Sequence, residues 1–254
     1  MKTEREPLIL SIDATTSSRS VAVTRGRHLR AFVTSDDVRT NSAKLLNEID
    51  EALHEAEVKI DGIDLFAVTI GPGSFTGLRS GMATVKAFAS TLDRPVVGIS
   101  TLHVIACAAG KFPQTCALIP AGRGEVFAQL MCVSGDQAVI ETAQPIHVSP
   151  TVMLEEAANV QGHLKWAGPG AVIHIDLIRD FARSYSITVT SESFDELETR
   201  GRSWVLAQPS KYLAAPLAMM AYADFRVGKV IKADELRALY VRASDAELNS
   251  PCRV

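Results

Sequence analysis

The chain has 254 residues, 47% of them hydrophobic and 22% charged, with a formal net charge of -3. That length supports one large core or two small ones, and the ordinary charged fraction fits a globular chain. A protein that grips nucleic acid alone shows a basic excess or stripe, and this chain has neither, so unaided binding to RNA is not expected.

Leu8 to Asp13 is a short apolar run ending in a carboxylate. After Thr15-Thr16-Ser17-Ser18, Val21 to Val23 reads as a second strand and Ala31 to Thr34 as a third, which suggests an antiparallel meander. The period then changes. Leu45, Leu46, Ile49, Leu53 and Ala56 fall at helical spacing after Asn41-Ser42, which can cap. Leu65 to Ile70 is the next strand and runs into Gly71-Pro72-Gly73-Ser74-Phe75-Thr76-Gly77. A helix follows with Leu78, Met82, Val85, Ala89 and Leu92 on one face, then a strand over Pro95 to Ile99 and a helix from Thr101. This first part reads as a mixed sheet with helices packed on it.

The second half repeats the theme less clearly. Cys116 to Ile119, Val126 to Val133 and Leu164 to Ala167 read as strands. Ala171 to Ser184 reads as a weakly patterned helix after Gly168-Pro169-Gly170, Ser191 to Arg202 as acidic surface, and Ser210 to Val227 as a long helix. The expected division is a lobe over 1–105 completed by the 208–228 helix, a smaller lobe over 106–207, and a tail over 229–254.

Cys107, Cys116, Cys132 and Cys252 form no C-x-x-C pair, and three have apolar neighbours, as in a reducing compartment. The N-terminal MKTEREPLILSID lacks the long apolar core of a secretory leader. Pro95 to Gly110 is too short and too broken to span a bilayer. A cytoplasmic protein with no membrane contact is expected.

The segment Gly71 to Gly77 lies between a strand and a helix N-terminus, where free N–H groups and the helix dipole suit anions. Its spacing fails the nucleotide fingerprints: G-x-G-x-x-G needs glycine at Thr76, and G-x-x-x-x-G-K-[ST] is not matched. The nucleophile elbow G-x-S-x-G would need glycine at Pro72 and Thr76. A tight turn with close helix packing at Gly77 and Gly81 accounts for the run as well as a binding role does. Asp13 with Thr15 and Thr16 has the composition of a phosphate-binding hairpin, in which the carboxylate would hold a metal-bound water. It equally has that of a local Asx or ST turn. Ala14 stands where glycine would let a phosphate approach the backbone. The six histidines make no H-x-x-x-H pair, and His54 falls off its helix's apolar face, so no metal site is expected.

Several segments together resemble the TsaB (YeaZ) family. They are Ile9 to Thr16, Val68 to Arg79 with its G-P-G-S-F-T-G-L-R run, Pro95 to Leu102, and Arg123-Gly124-Glu125-Val126-Phe127. The match is weaker over 135–207 and returns in Leu239-Tyr240-Val241-Arg242. The resemblance implies an α/β, actin-like ASKHA (ribonuclease H-like) fold with two lobes. It implies a non-catalytic scaffold subunit in tRNA N6-threonylcarbamoyladenosine formation, with no cofactor and no metal. Its partners would be a TsaD-like catalytic paralogue and a TsaE-like ATPase, with a homodimer in isolation and tRNA reached only through the complex.

The implied interface comprises Ser42, Leu45, Leu46, Ile49, Ser74, Phe75, Thr76, Gly77, Arg79 and Gly81. Gly71, Pro72 and Gly73 would be a structural loop, and Asp13, Thr15 and Thr16 a vestigial phosphate hairpin. The chain departs from the family pattern at Asn41, at Pro120-Ala121-Gly122 and at Ala238. The competing classes are an ATP-binding ASKHA enzyme, kinase or carbamoyltransferase, and a metallopeptidase.

Overall fold

A computed structural model describes residues 5–36, 42–135, 138–190, 201–208 and 210–241; the side chains of Ser42 and Ala43 also lie outside the description. The first sheet has five strands: β1 (Leu8–Asp13), β2 (Arg19–Arg25), β3 (His28–Ser35), β4 (Leu65–Thr69) and β5 (Val96–Ile99), in the order β3-β2-β1-β4-β5. The β1–β2 and β2–β3 pairs are antiparallel, while β1–β4 and β4–β5 are parallel. Helices α1 (Ser42–Glu55) and α2 (Phe75–Leu92) precede β4 and β5.

The second sheet has the same plan. It contains β6 (Phe112–Gly122), β7 (Glu125–Val133), β8 (Val139–Glu141), β9 (Ile146–Val148), β10 (His163–Ala167), β11 (Thr188–Thr190) and β12 (Ser203–Leu206). Antiparallel pairing joins β6, β7 and β8, and parallel pairing joins β6, β10, β12 and β11. This repeated order of three antiparallel strands followed by parallel ones is the ASKHA, ribonuclease H-like arrangement.

Alternation along the strands decides the layering. Leu8, Leu10 and Ile12 of β1 point into a core shared with α1 and α2, which also holds Leu45, Ile49, Phe66, Leu78 and Val85. Ile9, Leu65 and Ala67 point the other way. There they meet α3 (Thr101–Ala108) and α7 (Ala214–Arg226), and the same core continues to Ala117, Ile119 and Met131 of the second sheet. The outer face of the second sheet carries Trp166 and Trp204 against α4 (Pro150–Ala158), α5 (Pro169–Ile173) and α6 (Ile175–Ser184). The two sheets thus share one middle core.

Three expectations need correction. The helix foreseen over Ala171 to Ser184 is two helices: α5 starts earlier, with Pro169 at its first position, and the chain breaks at His174, whose φ -102° and ψ 20° leave the helical region before α6 begins. The long helix begins at Ala214 rather than Ser210. Its start is fixed from afar: Ser20 Oγ accepts from Leu213 N at 3.1 Å and from Ala214 N at 3.0 Å. Helix α4 and strands β8, β9, β11 and β12 were not foreseen, although Ser149-Pro150 carries a start signal, and Ser149 does cap α4 by accepting from Val152 N. Residues 191–200 of the expected acidic surface, Arg242 and Cys252 lie outside the described residues.

Ser20 is buried, so its two N–H partners have no water to fall back on. Ser20→Ala is expected to lower stability by about 2 kcal/mol, the cost of leaving buried donors unpaired. Urea unfolding measures this, and a loss below about 0.5 kcal/mol would mean that the docking of α7 does not depend on this serine.

Candidate functional site

Strands β1, β4 and β5 run parallel, and their C-terminal ends meet the Gly71–Ser74 loop. The loop is held on three sides: Ser74 N donates to Thr15 O at 2.7 Å, Thr101 N donates to Gly71 O at 2.9 Å, and Leu239 N donates to Ile70 O at 2.7 Å. The Gly71–Pro72 peptide is cis, and Gly71 has φ +101°. A Cβ on Gly73 would sit 2.2 Å from the Thr15 carbonyl oxygen, and one on Gly77 would sit 1.8 Å from that of Ala14. Both contacts are backbone, so no side chain can rotate away. Ser74 caps α2 by accepting from Gly77 N at 3.2 Å. The loop and the first turn of α2 therefore lie directly on the β1–β2 turn.

Beneath them is a closed polar network. Asp13 is fully buried. Its Oδ1 accepts from Thr15 Oγ1 and from Thr69 Oγ1, each at 2.7 Å, and from Thr15 N at 3.1 Å. Thr16 Oγ1 donates to Oδ2 at 3.3 Å, and Thr101 Oγ1 lies 3.0 Å from Thr15 Oγ1. Burial raises the Asp13 pKa above its ordinary 3.8, and the donors from Thr15, Thr69 and Thr16 oppose that rise. The Thr15 amide, which a bound phosphate would need, is committed to Asp13. The sequence reading named Asp13, Thr15 and Thr16 but missed Thr69 and Thr101. Their signal was position, since Thr69 closes β4 and Thr101 opens α3 just past β5, at the end of the parallel strands where α/β sheets gather their sites.

The outer surface of the same loop is different. Ser74, Phe75, Thr76 and Arg79 are exposed. The Arg79 guanidinium lies 3.8 Å from the Phe75 ring centroid, and Tyr240 stands 6.4 Å from Phe75, centroid to centroid. Phe75 is 43% exposed and Tyr240 52%, so apolar area and one cation face outward together; Leu46 of α1 is also exposed, at 48%.

Four residues expected at the partner interface do not face outward. Leu45 and Ile49 are buried among Leu10, Phe66 and Leu78, because the apolar stripe of α1 that includes Leu53 and Ala56 turns them inward. Gly77 and Gly81 face Ala14, Ile12 and Val68, where their missing side chains let α2 approach the sheet. Ser42's side chain and Asn41 lie outside the described residues. Of the other departures, Pro120 is exposed near the β6–β7 turn and Ala238 packs against the first core. Among the described residues, no three His, Cys, Asp or Glu side chains are grouped to hold a metal ion, and no helix is long and apolar enough to cross a membrane.

The contact at Gly77 makes Gly77→Ala expensive. We expect a loss of about 3 kcal/mol, or roughly 6–12 °C in Tm, whereas Gly135→Ala, with nothing near its Cβ, should stay within about 0.5 kcal/mol. Equal effects in calorimetry would remove the packing role.

The raised pKa of Asp13 has its own signature. A carboxyl whose folded pKa exceeds the unfolded one gives most stability below the unfolded value, near 3.8, and loses it as pH rises through the folded value. The stability difference between the natural chain and Asp13→Asn should therefore fall as pH rises above about 4. Unfolding curves across that range test it, and a flat difference would rule out the shift.

A family model described as TsaD, tRNA N6-adenosine threonylcarbamoyltransferase, matches residues 32–187. The chain is 34% identical over 123 residues to the tRNA threonylcarbamoyladenosine biosynthesis protein TsaB of Haemophilus influenzae, covering 47% of this chain and 51% of that one. It is 30% identical over 139 residues to a tRNA N6-adenosine threonylcarbamoyltransferase of Bifidobacterium longum, covering 46% and 40%. The chain thus spans about half the length of the curated relatives it matches. In structure it resembles YeaZ from Pseudomonas aeruginosa, with TM-score 0.69 and 20% identity over 92% of this chain and 99% of that one, a likeness of fold. The chain belongs to the family of that model, TsaD, tRNA N6-adenosine threonylcarbamoyltransferase.

Proposed function

We propose that this chain is a non-catalytic subunit of the machinery that forms N6-threonylcarbamoyladenosine in tRNA, acting as a scaffold for a TsaD-like catalytic paralogue. The observation that carries the reading is the split character of the Gly71–Arg79 segment. Its inner side seals Asp13 under hydroxyl donors and uses up the Thr15 amide, while its outer side shows Phe75, Arg79 and Tyr240 to solvent. A buried, hydrogen-bonded carboxylate beneath a packed turn suits a fixed support better than a phosphate pocket. The names of the similar TsaB proteins support the pathway.

On this reading the partner face is Ser74, Phe75, Thr76, Arg79 and Leu46, joined by Tyr240. In isolation the same face pairs two copies of the chain, so homodimer and heterodimer exclude each other. A TsaE-like ATPase joins the assembly, and tRNA is reached through the complex, in keeping with the net charge of -3. The chain works in the cytoplasm and needs neither metal nor nucleotide of its own.

Aromatic and arginine residues dominate interfaces of this kind, and losing a central one typically costs about 2 kcal/mol, or roughly 30-fold in affinity. Phe75→Asp and Arg79→Ala should therefore weaken binding to the purified TsaD-like paralogue by about 10- to 100-fold while leaving Tm nearly unchanged. Light scattering should show the same variants shifted from dimer to monomer. Leu45→Asp should instead unfold the chain, since Leu45 is 1% exposed. Titration calorimetry with full affinity retained in both Phe75→Asp and Arg79→Ala would end this assignment of the partner face.

A further inference from the structure

The outward side of the Gly71–Arg79 segment is chemically incomplete. The guanidinium carbon of exposed Arg79 lies over the Phe75 ring, 3.8 Å from its centroid, so the two groups are in van der Waals contact. That contact covers one side of the guanidinium and leaves its in-plane N–H groups to an acceptor. Among the described residues Arg79 has no hydrogen bond and no ion pair, and the ring is its one partner. Other arginines of the chain are matched to carboxylates. Arg19 forks onto Glu48 through Nε at 3.1 Å and Nη2 at 2.7 Å, and Arg183 reaches Asp180 at 2.8 Å. An exposed arginine without a carboxylate is ordinary when its side chain moves freely. Arg79 differs in being held against a ring.

The surroundings are apolar and positive. Helix α2 has no acidic residue in its first turn, and the free N–H groups of that turn lie at this end. Tyr240 stands 6.4 Å from Phe75, centroid to centroid. It is kept there by the 2.7 Å bond from Leu239 N to Ile70 O and by Leu236, which is buried in the first core. The residues of the partner face, Leu46, Ser74, Phe75, Thr76, Arg79 and Tyr240, include no carboxylate. A chain of net charge -3 thus presents here one cation, two rings and no anion of its own.

We propose that the partner surface seated on this face carries a carboxylate that takes the Arg79 guanidinium in two parallel hydrogen bonds, beside an apolar side chain that lies against Phe75 and Tyr240. The inference rests on the scaffold reading and supplies the chemistry of the partner. The planar fork of an arginine matches the two oxygens of a carboxylate. The ring beneath orders the guanidinium before the partner arrives, which lowers the entropy lost on pairing. The two rings exclude water around the pair, so it contributes more than an open surface ion pair does.

Titration calorimetry of the full chain against the purified TsaD-like paralogue tests this. Arg79→Gln keeps donors but no charge, and should bind about 10- to 30-fold more weakly with Tm unchanged. Arg79→Lys keeps the charge but loses the fork, and should remain about fivefold weaker than the natural chain. Between about 0.05 and about 0.5 M NaCl the natural chain should lose about threefold more affinity than Arg79→Gln does. Arg79→Glu should bind about 100-fold more weakly, and reversal of one exposed Asp or Glu of the paralogue to Arg should recover about tenfold of that loss. Full affinity in Arg79→Gln or Arg79→Lys, an equal salt dependence of Arg79→Gln and the natural chain, or failure of every single reversal to rescue Arg79→Glu would each overturn the carboxylate pairing, while weakened binding by Phe75→Asp would still uphold the face. Full affinity in Phe75→Asp together with Arg79→Gln would remove the face and the pairing alike.

Discussion

The contact between the first turn of α2 and the β1–β2 turn sets the geometry of everything nearby. Gly73 and Gly77 bring two stretches of backbone to distances no side chain would permit, at 2.2 and 1.8 Å from the nearest carbonyl oxygens for an added Cβ. Because the contact is backbone on backbone, it cannot relax by rotating a side chain. It fixes where α2 begins, and therefore which residues of α2 look inward and which look outward. It also closes the roof over Asp13.

That roof explains how a carboxylate persists in the interior. An unpaired buried charge would be far too costly. Here Thr15, Thr16 and Thr69 supply hydroxyl donors, and Thr101 supports Thr15 from the first residue of α3. The network ties the ends of β1 and β4 and the start of α3 together, so it serves as a cross-brace between strands that are parallel neighbours. Polar ties of the same kind recur one layer away. Ser11 Oγ donates to Ala214 O at 2.8 Å and Ser20 receives the start of α7, so the central helix is docked on the first sheet by two buried serines. The continuous apolar core beyond them joins both sheets. The molecule is held by burial and oriented by a few buried hydroxyls.

Much of the fold was readable from residue order. The first three strands, α1, β4, α2 and β5 all emerge from alternation or 3.6-residue spacing, since each has a strong one-faced or fully apolar pattern. The second half was less readable for a physical reason. Strands β8, β9 and β11 have three residues each, too short to show a period, and α6 reveals its amphipathic face only when its start is set at Ile175 rather than Ala171. The site was half readable. The G-P-G-S-F-T-G run marked its place, but Thr69 and Thr101 are ordinary threonines until strand order brings them to Asp13.

The sequence by itself determined the alternating and helical patterns, the family resemblance and the loop on which the site is built, because these depend on neighbours along the chain. Only tertiary structure decided that Leu45 goes in while the adjacent Leu46 goes out, that Gly77 and Gly81 serve the chain's own packing, and that Phe75, Arg79 and Tyr240 share one surface. Those outcomes depend on contacts between residues far apart in the chain. Tyr240 reaches Phe75 because the C-terminal segment pairs Ile231 with Val96 and runs on past Gly98 and Gly71. Spacing along the chain carries no record of that path, which is set by which surfaces are left to be covered once the sheets have formed.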